Sequence, residues 1–148
     1  MDKNLFVGRE YEIRQLEKYR DSKESEFIIV YGRRRVGKTF LIKEFFDDKY
    51  DFKVTGLYKK PKKMQLKNFY LALLEYGANM KNVATDWLEA FAELKNLLKG
   101  VKENRKKIVF IDELPWLDTR QSEFLSAFEA FWNGWGAQQN DLMLIVCR

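Results

Sequence analysis

The sequence has no histidine, one cysteine and no long apolar run among its 148 residues. Without histidine, the commonest metal ligand and the commonest general base at neutral pH are both excluded. The single cysteine, Cys147, cannot form an intrachain disulfide, so we expect a reducing compartment, by default the cytoplasm. No apolar run approaches the roughly 18 residues that a membrane-spanning helix needs, so we expect no membrane partner.

What is present is a chain of one domain's length with 46% hydrophobic residues and a net charge of +5. The basic residues are concentrated in three clusters: Arg33 to Arg35, then Lys59, Lys60, Lys62 and Lys63, and then Lys102 with Arg105 to Lys107. The first cluster lies in a glycine-containing loop, where a polyanionic ligand would offset it. The other two indicate solvated loops. Nucleic-acid contact is the alternative, but no interleaved aromatic residues support it.

The octapeptide GRRRVGKT at 32–39 is the most specific motif. It fits G-x-x-x-x-G-K-[ST], the loop that wraps the phosphates of ATP or GTP. Glycines let backbone N–H groups point at an anion, Lys38 supplies a point charge for the β- and γ-phosphates, and the Thr39 hydroxyl can ligate Mg²⁺. An apolar run at 27–31 precedes the loop, and an apolar helical face at 40–46 follows it. This strand–loop–helix context favours a phosphate loop over a chance match in a basic turn.

A second motif follows the short apolar run at 108–111. An acid at the tip of such a strand can hold the Mg²⁺ hydration shell, which suits Asp112. A neighbouring carboxylate can orient and polarise an attacking water, which suits Glu113. A strand that ends in a solvated Asp-Glu turn is the alternative. The sequence contains no Asn-Lys-x-Asp for guanine and no Leu-Ser-Gly-Gly-Gln of transporter ATPases, and DELP at 112–115 lacks the last residue of a helicase box.

Strand-like and helix-like stretches alternate along the chain, which predicts an α/β protein with a doubly wound parallel sheet. Strands are expected at 27–31, 51–57, 108–111 and 142–146. Helices are expected at 10–20, at 63–76, after a capping box Asp86-x-x-Glu89, and at 122–132, where Asn133-Gly134 should end the last one. Trp87, Trp132 and Trp135 lie on or beside apolar helix faces, which indicates core packing rather than base stacking. Trp116 has no such face, and its role stays open.

Three stretches together resemble the archaeal-type AAA+ ATPases, close to the signal-transducing STAND class. They are LFVGREYEI at 5–13, IIVYGRRRVGKTFLI at 28–42, and VFIDELPWLDT at 109–119 with FWNGWGAQQNDLMLIVC at 131–147. The resemblance covers nearly the whole chain. It implies a phosphate-loop NTPase fold with ATP and Mg²⁺ as cofactors.

The resemblance also assigns roles to individual residues. Phe6, Val7, Gly8 and Arg9 correspond to a box beside adenine, although on their own they are only an apolar turn before a helix. The phosphate loop, or Walker A motif, would comprise Gly32, Arg33, Arg34, Arg35, Val36, Gly37, Lys38 and Thr39, with Phe40 beside it. In the Walker B motif at 108–113, Asp112 would join Thr39 as a Mg²⁺ ligand, and Glu113 would be the catalytic base.

Relatives of this kind continue past the last strand into a sensor turn, a fifth strand and a helical lid. We therefore expect residues 1–148 to be a truncated AAA+ core without a second domain, with the strand order 5-1-4-3-2 but without strand five. Residues 27–31 would then form an open apolar edge, which predicts self-association.

The expected function is Mg²⁺-dependent hydrolysis of the ATP γ-phosphate, impaired by the truncation. The alternative is a nucleotide-dependent binding switch or scaffold without significant turnover. A DNA-associated helper ATPase is a third hypothesis, and the protein partner is unidentified.

Overall fold

One parallel sheet is built from strands β1 (Glu26–Val30), β2 (Phe52–Thr55), β3 (Lys107–Asp112) and β4 (Leu142–Cys147), in the order β1-β4-β3-β2. The computed structural model describes residues 10–31 and 37–148 of the chain. The predicted α/β class and parallel sheet are confirmed. The order of these strands agrees with the 1-4-3-2 part of the expected arrangement.

Helices cover both faces of this sheet. They are α1 (Glu10–Asp21), α2 (Lys38–Phe45), α3 (Lys62–Glu75), α4 (Trp87–Lys99), the single turn α5 (Leu114–Leu117) and α6 (Phe124–Gly134), and a short 3-10 helix (Gly136–Gln138) precedes β4. Among the described residues, no helix has the length and apolar character that crossing a membrane requires.

Successive residues along the central strands point alternately into two separate hydrophobic cores, one on each face of the sheet. Val109 and Ile111 face the larger core, which contains buried residues of α3, α4 and α6. Ile108 and Phe110 face the smaller core, together with Leu16 of α1 and with α2. Because both faces are covered, β3 and β4 are apolar without the polar alternation of a half-exposed strand.

Aromatic rings fill much of the larger core. Phe91 has its ring centroid between 5.4 and 5.8 Å from those of Phe124, Phe128 and Phe131. Trp87 is 1% exposed, while Trp132 and Trp135 pack against the same core from its margin. The prediction of core packing for these tryptophans is therefore confirmed.

The strand register brings the carboxyl ends of the strands to the same end of the sheet. Val30 pairs with Cys147, and Thr55 pairs with Asp112. Strand β2 is shorter than the predicted 51–57, but backbone bonds continue past both of its ends. Asp51 N–H donates to Ile108 O at 2.9 Å, and Gly56 N–H donates to Asp112 O at 2.9 Å. The segment that follows β2 is thereby fixed against the last residue of β3.

Two helix boundaries test the local sequence signals. The capping residue predicted for α4 is confirmed, since Asp86 Oδ1 accepts from Glu89 N–H at 2.8 Å. The Glu89 side chain reaches back one residue further than expected, to Thr85 Oγ1 at 2.8 Å. Helix α6 ends at Gly134, within the Asn133-Gly134 pair predicted to stop it; it begins and ends two residues later than the predicted 122–132, and Trp135 N–H still donates to Phe131 O at 3.2 Å. Packing of Phe131 and Trp135 (ring centroids 5.7 Å apart) accompanies this two-residue extension.

Candidate active site

Helix α2 begins at the point where the phosphate-loop motif ends. Gly37 precedes the helix with φ 85° and ψ 15°, a left-handed conformation that glycine adopts without the steric cost of a side chain. Its carbonyl accepts from Leu41 N–H at 2.8 Å, so Lys38 and Thr39 lie in the first turn. Leu41 and Ile42 are buried against the sheet, as the apolar helical face predicted.

Several predicted site residues lie outside the described part of the chain. These are the adenine-box residues Phe6, Val7, Gly8 and Arg9 and the loop residues Gly32, Arg33, Arg34, Arg35 and Val36. Phe40, predicted to lie beside the loop, is in the first turn of α2 and is 43% exposed.

Thr39 and Asp112, 73 residues apart in sequence, meet between the start of α2 and the end of β3. The Thr39 hydroxyl donates to Asp112 Oδ2 at 3.0 Å, and Glu113 N–H donates to Asp112 Oδ1 at 2.9 Å. Asp112 is only 5% exposed. Burial raises the pKa of its carboxyl group above the ordinary value, and the two hydrogen bonds act in the opposite direction.

Lys38 and Cys147 occupy the same end of the sheet. Lys38 is 7% exposed and Cys147 is fully buried at the end of β4. Burial raises the pKa of the Cys147 thiol to about 12; the charge of Asp112 adds to the rise, and the charge of Lys38 opposes it. The site therefore combines a buried lysine, a buried carboxylate and a protonated thiol at the carboxyl ends of the strands.

Glu113 is held in an unusual conformation. Its backbone has φ 54° and ψ 45°, which is left-handed for a residue other than glycine. Its Oε2 atom accepts a hydrogen bond from Trp116 Nε1–H at 3.1 Å. The backbone just after β2 approaches Glu113 so closely that only glycine fits there, because a Cβ built on Gly56 would lie 2.4 Å from Glu113 O. Glu113 is thus fixed through both its carboxylate and its backbone.

Trp116 connects Glu113 to the turn that follows β2. Its ring lies edge-on to the Tyr58 ring, with centroids 4.6 Å apart. The Gln65 side chain, which is fully buried, holds this turn in place. Its Nε2 donates to Leu57 O at 2.7 Å and to Lys60 O at 3.1 Å, and its Oε1 accepts from Leu57 N–H at 3.0 Å.

Sequence patterns do not predict this second group of residues. Trp116 and Tyr58 lie on segments that follow different strands, and no spacing rule links them. The available signals were Gly56 at a strand end and a glutamine in the first turn of a predicted amphipathic helix. Neither signal identifies a tertiary contact.

Comparison with known proteins identifies the family. Residues 6–148 match the family described as an ATPase domain predominantly from Archaea. The chain belongs to this family of archaeal ATPase domains, which confirms the resemblance to archaeal ATPases.

Two proteins of Methanocaldococcus jannaschii are similar in sequence. One is an uncharacterized protein, 32% identical over 128 residues, or 84% of this chain and 25% of that protein. The other is an uncharacterized ATP-binding protein, 49% identical over 45 residues, or 30% of this chain and 76% of that protein.

A solved structure supports the fold. The Walker-type ATPase of Pyrococcus abyssi matches with a TM-score of 0.62 at 20% identity, over 94% of this chain and 44% of that one. The chain thus spans about a quarter of the first relative and less than half of the solved ATPase.

Proposed function

We propose that this chain is the ATP-binding core of an AAA+ ATPase that hydrolyses the γ-phosphate of ATP with Mg²⁺ as cofactor. The observation that carries the proposal is the 3.0 Å bond between Thr39, in the first turn of α2, and Asp112, at the end of β3. Family membership and the ATP-binding relative support the choice of ATP.

Nucleotide binding is assigned to the loop from Gly32 to Thr39. Backbone N–H groups at the start of α2 carry the positive end of the helix dipole, which favours an anion. The Lys38 ammonium adds a full charge close to the β- and γ-phosphates. The adenine box at Phe6 to Arg9, and a contact from Phe40, remain parts of this proposal.

Thr39 and Asp112 are the proposed Mg²⁺ ligands. A hydroxyl and a carboxylate are hard oxygen donors of the type that Mg²⁺ prefers, and burial makes the unneutralised carboxylate costly. The donor set therefore fits the ion. When bound, Mg²⁺ would neutralise charge on the phosphate oxygens.

Glu113 is the proposed base for the hydrolytic step. The water oxygen forms a new bond to the γ-phosphorus while the bond from that phosphorus to the β–γ bridging oxygen breaks. The bridging oxygen keeps the electron pair in ADP, and the Glu113 carboxylate takes a proton from the water. Trp116 positions this carboxylate through its indole N–H.

The alternative function is a nucleotide-dependent binding switch without significant turnover. The Trp116 hydrogen bond favours it in one respect, because it occupies Oε2 of Glu113 and leaves only Oε1 to accept a proton from a water molecule. In that case ATP would bind and order the chain for a partner.

We also assign the protein to the cytoplasm, where a lone, buried Cys147 would stay reduced.

Calorimetric titration with Mg-ATP tests nucleotide binding. We expect Lys38→Ala to lose most of its affinity, and the matched control Lys43→Ala, an exposed lysine of the same helix, to bind like the wild type. Circular dichroism should show both variants folded. Equal affinity in Lys38→Ala and the wild type would disprove the assignment of the loop.

A phosphate-release assay separates the two functions. Glu113→Gln should keep ATP binding while hydrolysis falls by at least about tenfold, since general-base catalysis contributes roughly 10²–10⁴-fold. Asp112→Asn should weaken the dependence of binding on Mg²⁺. Binding without measurable turnover in the wild type would favour the switch. A measurable rate that Glu113→Gln left unchanged would place the base elsewhere.

A further inference from the structure

One segment of this chain carries more net positive charge than the chain as a whole. Residues 52–74 contain six lysines and neither aspartate nor glutamate, whereas the net charge of the whole chain is +5. The other residues together are therefore slightly acidic. This segment comprises β2, the turn that follows it and most of α3.

The turn after β2 is held rigidly. Gln65 is fully buried, and its side-chain amide forms hydrogen bonds with the backbone of Leu57 and Lys60. A buried glutamine is retained only if its polar atoms are satisfied, and here the turn satisfies them. The exposed side chains of Tyr58, Lys59 and Lys60 are therefore presented from a fixed backbone, which lowers the entropic cost of binding a ligand.

An aromatic pair lies beside these lysines, although the sequence shows no aromatic interleaving there. Tyr58 is 54% exposed, and its ring lies edge-on to the partly exposed Trp116, which is supplied by the segment after β3. The Lys59 ammonium lies 5.2 Å from the centroid of the Tyr58 ring. A solvated basic loop does not require an exposed tyrosine backed by a tryptophan.

The basic surface continues onto α3. Lys63 and Lys67 are exposed and four positions apart, so they lie on the same side of the helix. We call the surface formed by Tyr58, Lys59, Lys60, Lys63, Lys67 and Trp116 the lysine–tyrosine surface.

We propose that the lysine–tyrosine surface binds single-stranded nucleic acid. The lysines would neutralise backbone phosphates, and Tyr58 would stack on an unpaired base. Unpaired bases are favoured over a duplex because a duplex does not offer base faces to an exposed ring. An acidic protein would match the charge but would make less use of the aromatic pair. The proposal goes beyond ATP hydrolysis and does not depend on it.

Fluorescence anisotropy of a labelled oligothymidylate tests the proposal on the full chain without nucleotide. An oligomer of about 20 nucleotides is long enough for a surface of this size. We expect binding in about 50 mM salt that weakens as salt rises. Lys60→Glu with Lys63→Glu should weaken binding by at least about tenfold. It should also lower the slope of log K against log salt by about 1.4, since each phosphate contact on a single strand contributes roughly 0.7.

The matched control is Lys49→Glu with Lys102→Glu. These lysines are also exposed, but they lie in the loops before β2 and β3, at the opposite end of the sheet. The net charge changes by the same amount as in the test pair, so affinity within about threefold of the wild type is expected. A loss as large as that of the test pair would mean a general electrostatic effect, which would overturn the proposal.

The tyrosine distinguishes nucleic acid from other polyanions. Tyr58→Ala should lower affinity about tenfold, whereas Tyr58→Phe, which keeps the ring, should bind like the wild type. Polyglutamate should compete poorly. The absence of binding by the wild type, or equal competition by polyglutamate together with an unaffected Tyr58→Ala, would overturn the proposal.

Thermal melting of each variant checks that it is folded, and Lys→Gln versions replace any Lys→Glu pair that melts at a lower temperature than the wild type. Lys38→Ala should bind the oligomer normally, which keeps this test separate from ATP binding.

Discussion

At the scale of single residues, the site depends on how each carboxylate is held. Asp112 is buried and bonded to the Thr39 hydroxyl, whereas Glu113 is less buried and bonded to an indole. The same strand end thus presents two neighbouring acids in different surroundings. Different surroundings are what allow adjacent carboxylates to take different roles.

Trp116→Phe tests whether the indole positions Glu113. The change removes the Nε1–H donor and keeps an aromatic ring near Tyr58. We expect the hydrolysis rate to fall about three- to tenfold with the ATP dissociation constant unchanged, because a less well-oriented base acts less efficiently. Steady-state kinetics beside calorimetry separates the two effects. A rate that rises would show that the hydrogen bond restrains Glu113 and would favour the switch function.

Cys147 provides a probe of folding because it is the only cysteine. Burial raises the pKa of its thiol to about 12, whereas an unfolded thiol ionises near about 8.5. At about pH 8 we therefore expect thiol-reactive dye to label the native chain at least about 100-fold more slowly than the urea-unfolded chain. Equal labelling rates in the native and unfolded chains would show that Cys147 is not buried.

The same pKa shift predicts how stability changes with pH. The folded state keeps the thiol proton to higher pH than the unfolded state does, so this contribution is complete below about pH 8.5 and is lost as pH rises toward about 12. Urea melts at increasing pH should show a smaller alkaline loss in Cys147→Ala than in the wild type. An identical alkaline loss in both would contradict the shift.

At the scale of secondary-structure elements, one ion pair ties together the starts of β2 and β3. Arg105 makes two bonds to the carboxylate of Asp51, each 2.8 Å long, and Asp51 Oδ2 also accepts from Ile108 N–H at 2.8 Å. The Asp51 side chain is 8% exposed and that of Arg105 is 47% exposed. The backbone bond of Ile108 is therefore the better-shielded part of this arrangement.

Asp51→Ala should destabilise the chain by about 1–3 kcal/mol, mainly because Ile108 N–H loses its buried acceptor. A drop in melting temperature of about 2–4 °C per kcal/mol is expected for a chain of this size. The matched control is Asp21→Ala, whose partner Arg20 lies 3.0 Å away on an exposed surface, and its effect should stay within about 0.5 kcal/mol. A similar effect for both variants would mean that the pair does not join β2 to β3.

Local patterns were sufficient to predict most elements and part of the site. Apolar runs predicted all of the strands described here, and the phosphate-loop motif placed Thr39 in the first turn of α2. The acid pair after 108–111 predicted where Asp112 lies. The contact of Trp116 with Tyr58 could not be predicted, because it depends on how two strand ends align in the sheet. The bounds of α6 differ by two residues at each end from the predicted 122–132, and the Asn-Gly pair still marks where the helix ends.

At the scale of the whole molecule, the two edges of the sheet differ. Strand β2 has Asn68 Nδ2 donating to Thr55 O at 2.8 Å, so α3 partly covers that edge. Strand β1 pairs with β4 on one side, and no strand within residues 10–31 and 37–148 pairs with its other side. Ile29 of β1 is 41% exposed. An apolar strand edge of this kind recruits other chains.

We therefore predict that the purified 148-residue chain associates in a concentration-dependent way through β1. Ile29→Lys should shift the equilibrium toward the monomer, because a charged side chain on an edge strand opposes pairing with a second strand. Light scattering over a range of concentrations measures the shift. Leu88→Lys is the matched control, since Leu88 is 63% exposed on α4, away from the edge. If the wild type stays monomeric at high concentration, or if both variants reduce association equally, β1 is not the associating edge.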